Sequence, residues 1–286
     1  MDQTLPKYPV FVMCGRDAKR RKLMEVHDPE GKYKAKALLP FLGKHLIDWQ
    51  IEALNKSPYV AEIYLLGLTE EDITFKFPVK YVPVETNSSV ADKLSAGLAF
   101  LTGRGINPSM IVVSSSDTPG IKQQEIDTFI QQLDKMKNVD YVQSLVPEAV
   151  GEAEFPRCGR AVARFRDHQV FPGELFAISP QAIKIANKAI REINDQRRKI
   201  NRFAKKISIG PMISFIAKRP RTWFFILKYA LKLATLEDAE KSLSAAFHVK
   251  TKGLIISDAG FGMDMDLPED YARLEEFVKR TKILSQ

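Results

Sequence analysis

Short apolar runs alternate with stretches in which apolar residues return every three or four positions. Tyr8-Pro9-Val10-Phe11-Val12-Met13 reads as a buried strand that ends in the turn Cys14-Gly15-Arg16. Leu46, Ile47, Trp49, Gln50, Ala53 and Leu54 then fit one face of a helix. Glu62 to Gly67 and Val79 to Val84 read as strands. Ser89 to Leu101, with Leu94, Leu98 and Leu101 in register, reads as a helix. Met110 to Val113 is a continuous apolar run, the mark of a strand buried on both faces, and a helix follows from Gln123 to Met136. Asp140 to Val146, Ala161 to Phe165 and Gly253 to Ile256 complete the predicted strands, while Ser179 to Ala246 is mainly helical in pattern. This order predicts a three-layer α/β core around a mostly parallel mixed sheet, with a helical carboxy-terminal elaboration. With no Gly/Ser/Pro-rich linker and no internal repeat, residues 1–286 read as one domain, the half over 1–146 preceding a helical half over 147–286.

Composition narrows the class without choosing a function. The chain has 286 residues, 45% of them apolar and 27% charged, as in an ordinary globular protein. Its two cysteines, Cys14 and Cys158, and an amino terminus without a secretory leader point to reduced thiols in the cytoplasm. The formal net charge of +8 suits a polyanionic partner. Two basic clusters contribute much of it, Arg16 to Lys22 beside the first turn and Lys184 to Lys206 in the helical region.

The segment Arg221-Thr-Trp-Phe-Phe-Ile-Leu-Lys-Tyr-Ala-Leu-Lys-Leu-Ala is the most apolar stretch, too short to span a bilayer and interrupted by Lys228 and Lys232. Packing on the core or in a homodimer is the expected role of residues 218–234. Peripheral contact with a membrane is the alternative.

Candidate chemistry lies where apolar runs stop. Asp117, in Ser-Ser-Ser-Asp-Thr-Pro-Gly, stands just past the carboxyl end of a predicted parallel strand, where open α/β sheets bind ligands. Asp264 and Asp266 are two apart in Gly-Met-Asp-Met-Asp-Leu-Pro-Glu-Asp, so in extended chain they face the same way. Together these carboxylates suit a divalent cation held against a polyphosphate. Capping of a helix from Pro268 is the competing role for the 264/266 pair. The turn Met13-Cys14-Gly15-Arg16 can offer backbone amides to phosphate, and Lys36 an ammonium. The four histidines lack metal-ligand spacing, and no Ser-His-Asp or Cys-His pattern is present.

Lys36-Ala37-Leu38-Leu39-Pro40 with Gly43-Lys44, Asn87-Ser88-Ser89, Asp117-Thr118-Pro119, Pro172-Gly173-Glu174-Leu175-Phe176 and Asp264-Met265-Asp266-Leu267-Pro268-Glu269-Asp270 follow that first turn in order. The set resembles the motifs of nucleotidyltransferases of the molybdenum-cofactor guanylyltransferase-like group. Cys14 stands where that group has the first of two glycines, and Glu174 where it commonly has asparagine.

The resemblance implies a nucleotide-diphospho-sugar transferase (GT-A, Rossmann-like) fold. It also implies Mg²⁺-dependent transfer of a nucleoside monophosphate from an NTP to a phosphorylated small-molecule or lipid-linked acceptor, with release of pyrophosphate. Residues 1–146 would then bind nucleotide and 147–286 the acceptor. Met13, Cys14, Gly15, Arg16, Lys36, Ser88 and Ser89 would bind nucleotide, Gly173 and Glu174 the acceptor, and Asp117, Asp264 and Asp266 the metal. Lys36, Arg16 and Asp117 would carry catalysis, and no nucleic acid is expected as a partner. A glycosyltransferase of related fold, or a non-catalytic nucleotide-binding protein, is the alternative. A glycosyltransferase requires an Asp-x-Asp at the middle strand, and here that pattern lies near the carboxyl terminus.

Overall fold

The computed structural model describes residues 5–15, 22–85, 88–157, 159–185 and 222–283. Arg16, Asn87, Cys158 and most of the basic 184–206 segment lie outside these residues.

The sheet is built from β1 (Tyr8–Met13), β4 (Val60–Leu66), β5 (Lys80–Val82), β6 (Ile111–Ser115), β7 (Tyr141–Pro147), β8 (Ala163–Arg164), β9 (Gln169–Ile178) and β10 (Thr251–Ile255). Its order is β10-β7-β9-β6-β1-β4-β5, with β8 on β9. A separate small hairpin joins β2 (Pro40–Phe41) to β3 (Lys44–His45). Along the main path β9 alone runs against its neighbours. The sheet is therefore mixed and mostly parallel.

Period-two alternation explains the layers. In β1, Val10 and Val12 point to one face and Phe11 to the other, and all three are fully buried. Val10 and Val12 share a core with Ile47, Ile51 and Leu54 of α2 (Leu46–Lys56) and Ile126, Phe129 and Leu133 of α4 (Gln123–Lys135). Phe11, with Tyr64 and Val113, meets Leu94, Leu98 and Leu101 of α3 (Val90–Gly103). Each fully buried apolar side chain contributes about 1.5–3 kcal/mol to holding the layers together. Gly97 faces inward on α3 because a Cβ there would lie 2.5 Å from the Phe11 ring.

Three further features position the candidate site. α1 (Lys22–His27), the hairpin and α8 (Pro268–Val278) share a smaller core of Leu23, Phe41, Trp49, Leu274 and Phe277. Following β7 come α5 (Glu148–Glu154), β8 and β9, and the register between β7 and β9 slips at Gly173–Leu175. There Gln143 pairs with Phe176 but Leu145 with Pro172, so the bulge re-aims Glu174. Lastly, α6 (Trp223–Ala230) and α7 (Leu236–Phe247) pack against one another before β10.

The long strand β9 was not among the expected strands, because Pro172-Gly173 reads as a break. The apolar stretch packs on α7 through Ile226, but α6 itself has no buried residue and is not a core helix. Among the described residues no helix is long and apolar enough to cross a membrane.

Candidate active site

From β1 the chain moves to β4 and β5 on one side, then returns to β6 on the other. The carboxyl ends of β1 and β6 therefore flank the point where strand order reverses, the crevice in which such sheets take ligands. Cys14-Gly15 leaves β1 there, and Asp117 leaves β6. Lys36 opens a short 3₁₀ turn, Lys36–Leu38, whose Ala37 and Leu38 are buried and anchor it to the core.

The acidic segments are joined through backbone. The amide of Met265 donates to the carbonyl of Asp117 at 3.0 Å, and Met263 and Met265 are buried on either side of Asp264. One carboxylate oxygen each from Asp117, Asp264 and Asp266 lies within 4.8 Å of the others. The Lys36 ammonium donates to both Asp117 and Asp266, and the Arg160 guanidinium pairs with Asp264.

Helix capping is performed by another residue: Asp270 accepts from the amides of Asp266 at 3.1 Å and Leu267 at 2.7 Å. The side chains of Asp264 and Asp266 therefore remain directed at the cluster, where with Asp117 they offer hard oxygen donors.

The electrostatics follow from crowding. Burial alone would lower the Lys36 pKa, but Asp117, Asp266 and Asp264 together outweigh it and hold the ammonium charged far into the alkaline range. Asp264 is pushed up to about 6, first by burial and then by Asp266, against the pull of Arg160. Glu174 joins the cluster from the β9 bulge. Its carboxyl is raised well above the usual range by burial, then by Asp264 and Asp117, with Arg160 opposing. Four carboxyl groups thus face two cations, and this imbalance with oxygen donors fits a hard divalent cation.

The first turn is shaped by two residues that the sequence pattern did not single out. Gly67, at φ +115°, leaves room for the Cys14 carbonyl, which a Cβ would approach to 2.2 Å. That same carbonyl accepts from the ammonium of Lys93 at 2.6 Å. Cys14 has no positive φ, and its buried thiol points to the Val12 carbonyl, so the side chain does not crowd the turn. Burial pushes that thiol up to about 12, which makes it inert as a nucleophile.

Ser89 caps α3 in a reciprocal box with Asp92, and Ser88 donates to the Glu85 carbonyl at 2.6 Å. Gly173 fits because a Cβ there would strike the Phe261 ring at 2.3 Å. The structure thus brings together Lys36, Asp117, Asp264, Asp266 and Glu174, with Arg160 added. Ser88 and Ser89 lie at the start of α3, beside Lys93. The signal for Lys93 was its place in the buried stripe Lys93, Gly97, Leu101. Arg160 sits in a loop, where no periodicity marks it.

Solved structures share this architecture. A hypothetical transferase from Thermus thermophilus superposes with a TM-score of 0.70 at 21% identity, covering 93% of this chain and 99% of that one. A CMP:2-keto-3-deoxy-manno-octonic acid synthetase complexed with CTP gives 0.56 at 11% identity, covering 96% and 99%. A 4-diphosphocytidyl-2C-methyl-D-erythritol synthase from Anaerococcus prevotii DSM 20548 gives 0.51 at 10% identity, covering 96% and 99%.

The chain has the nucleotide-diphospho-sugar transferase fold. No family model matches it, and neither does any curated protein.

Proposed function

We propose that this protein transfers a nucleoside monophosphate from an NTP to a phosphorylated acceptor and releases pyrophosphate. One observation carries the reading: Asp117, Asp264 and Asp266 converge around Lys36 at the strand-order reversal of this fold. The expected Mg²⁺ would be held by those three aspartates, where it supplies charge neutralisation at the reacting phosphates.

The protein's own groups account for the rest. Lys36 keeps its proton at any physiological pH and can neutralise phosphate oxygens and the departing pyrophosphate. Lys93 and Gly67 hold the Cys14 turn in shape, so its backbone is ready for a phosphate before the nucleotide arrives. Arg16 supplies a further cation to the triphosphate in this reading. On the acceptor side, Arg160 matches an anionic group and Glu174 a hydroxyl donor. The acceptor's phosphate oxygen attacks the α-phosphorus. The bond from that phosphorus to the bridging oxygen breaks, and pyrophosphate leaves with its electron pair.

The synthetase seen with CTP supports a nucleotide substrate by analogy of fold. The test is pyrophosphate release from each common NTP in the presence of Mg²⁺ and a panel of phosphorylated sugars, polyols and lipid-linked phosphates. Release that requires both NTP and acceptor supports the reading. Hydrolysis of nucleotide-sugars without use of NTP would favour the glycosyltransferase alternative.

A further inference from the structure

The surface of α6 is inverted relative to an ordinary surface helix. Its inner side is anchored: Ile226 packs on Ala246 and Phe247, and the Tyr229 ring lies 5.9 Å from Phe165. The Tyr229 hydroxyl accepts from the Arg164 amide at 3.2 Å, while Lys228 binds Asp238 at 2.9 Å. These contacts fix the roll of the helix, and apolar residues occupy its outer side. Trp223 is 60% exposed, Phe224 68%, Leu227 56%, Leu231 59% and Leu233 52%. Trp223, Leu227 and the capping Leu231 repeat at i, i+4 and i+8, with Phe224 three residues before Leu227, and Leu233 follows just past the helix end. Clustered exposed apolar side chains of this size mark a docking surface.

We infer that this stripe docks on an anionic lipid bilayer. Three observations select that occupant. The stripe mixes Trp223 and Phe224 with leucines, a composition suited to the boundary between headgroups and acyl chains. Basic charge is attached to it in sequence: from Lys184 to Arg221 the only acidic residues are Glu192 and Asp195, against many lysines and arginines. An apolar helix face plus basic charge provides the two signals that stable peripheral binding requires. The third observation is size. Two helical turns span only ~12 Å, less than a standard interface of about 800 Å² per partner needs.

This surface is independent of nucleotidyl transfer, so its test uses binding alone. The full chain is mixed with vesicles of phosphatidylcholine, with and without phosphatidylglycerol, and sedimented. Binding to the anionic vesicles, weakened by salt, is expected. Of the two tryptophans, Trp49 is buried, so a blue shift on vesicle addition reports Trp223 and should persist in Trp49→Phe. Phe224→Ser/Leu227→Ser should weaken partitioning by on the order of tenfold or more, with no loss of melting temperature, because both side chains are exposed. Leu231→Glu should act in the same direction. Absence of vesicle binding overturns the inference, as does equal binding to neutral vesicles. A concentration-dependent dimer that these substitutions dissociate would assign the stripe to a second copy instead.

Discussion

The amide of Met265 donates to the carbonyl of Asp117 at 3.0 Å, joining the end of β6 to the loop after β10. This bond sets the spacing of the acidic cluster through the main chain. The main chain thus fixes where the carboxylates meet, and burial together with their crowding raises the pKa of Asp264.

That crowding leads to the first prediction. Mg²⁺ or Mn²⁺ should raise the melting temperature of the wild type, because it binds only the folded cluster. Asp117→Asn should keep the fold, lose the metal-induced shift and lower turnover by about 100-fold or more. A full shift in the variant would remove Asp117 from the metal site.

Asp264 and Asp266 have different cationic partners and should give different kinetic signatures. Asp266→Asn removes a partner of Lys36 and should resemble Lys36→Ala, with a higher KM for NTP and a lower kcat. Asp264→Asn and Arg160→Ala should share a raised KM for the acceptor. Lys44→Ala should leave both constants near wild type, since Lys44 is bound to Glu52 and lies 3.7 Å over the Trp49 ring. Steady-state kinetics with each substrate varied in turn would distinguish these patterns. Identical behaviour of Lys36→Ala and Lys44→Ala would refute the role given to Lys36.

Gly67→Ala should destabilise the protein by about 3 kcal/mol or more, from left-handed backbone strain and collision with the Cys14 carbonyl. Urea denaturation measures it. A neutral outcome would show that the turn can relax, and that Lys93 alone does not fix it.

Glu125 offers a pH test away from the cluster. It accepts from the amides of Lys122 at 2.8 Å and Gly260 at 2.7 Å, and burial pushes it up to about 7 against those two bonds. The folded state therefore binds this proton more tightly than the unfolded chain. Its contribution is fully present below about pH 4.5 and is lost as pH rises to about 7, at up to ~1.4 kcal/mol per pH unit. Glu125→Gln should lack that decline, which denaturant titrations across pH 4–8 would detect as a difference in slope.

Much of this was legible in the sequence because local pattern and global fold agreed. The continuous run before Asp117 reads as a strand buried on both faces, and the two-residue spacing of Asp264 and Asp266 puts both carboxylates on one side. The antiparallel β9 was hidden because Pro172-Gly173 signals a break, whereas here those residues belong to a bulge. Arg160 was hidden for another reason: its partner Asp264 is 104 positions away, and nothing local encodes that meeting. Lys93 was visible in principle, as a charge on an apolar helix stripe, but its acceptor is a backbone carbonyl that has no sequence signature.

Lys36 meets Asp266 across 230 positions, and β10 pairs with β7 only after more than a hundred intervening residues have been made. During synthesis, β1, β4 and β6 can associate while the carboxy-terminal carboxylates are still inside the ribosome. A chain that ends just past β6 can therefore form the Cys14 turn and the Lys36–Asp117 pair, but not the full acidic cluster. The cluster closes only when the segment after β10 joins the end of β6, so its assembly depends on a contact between distant parts of the chain.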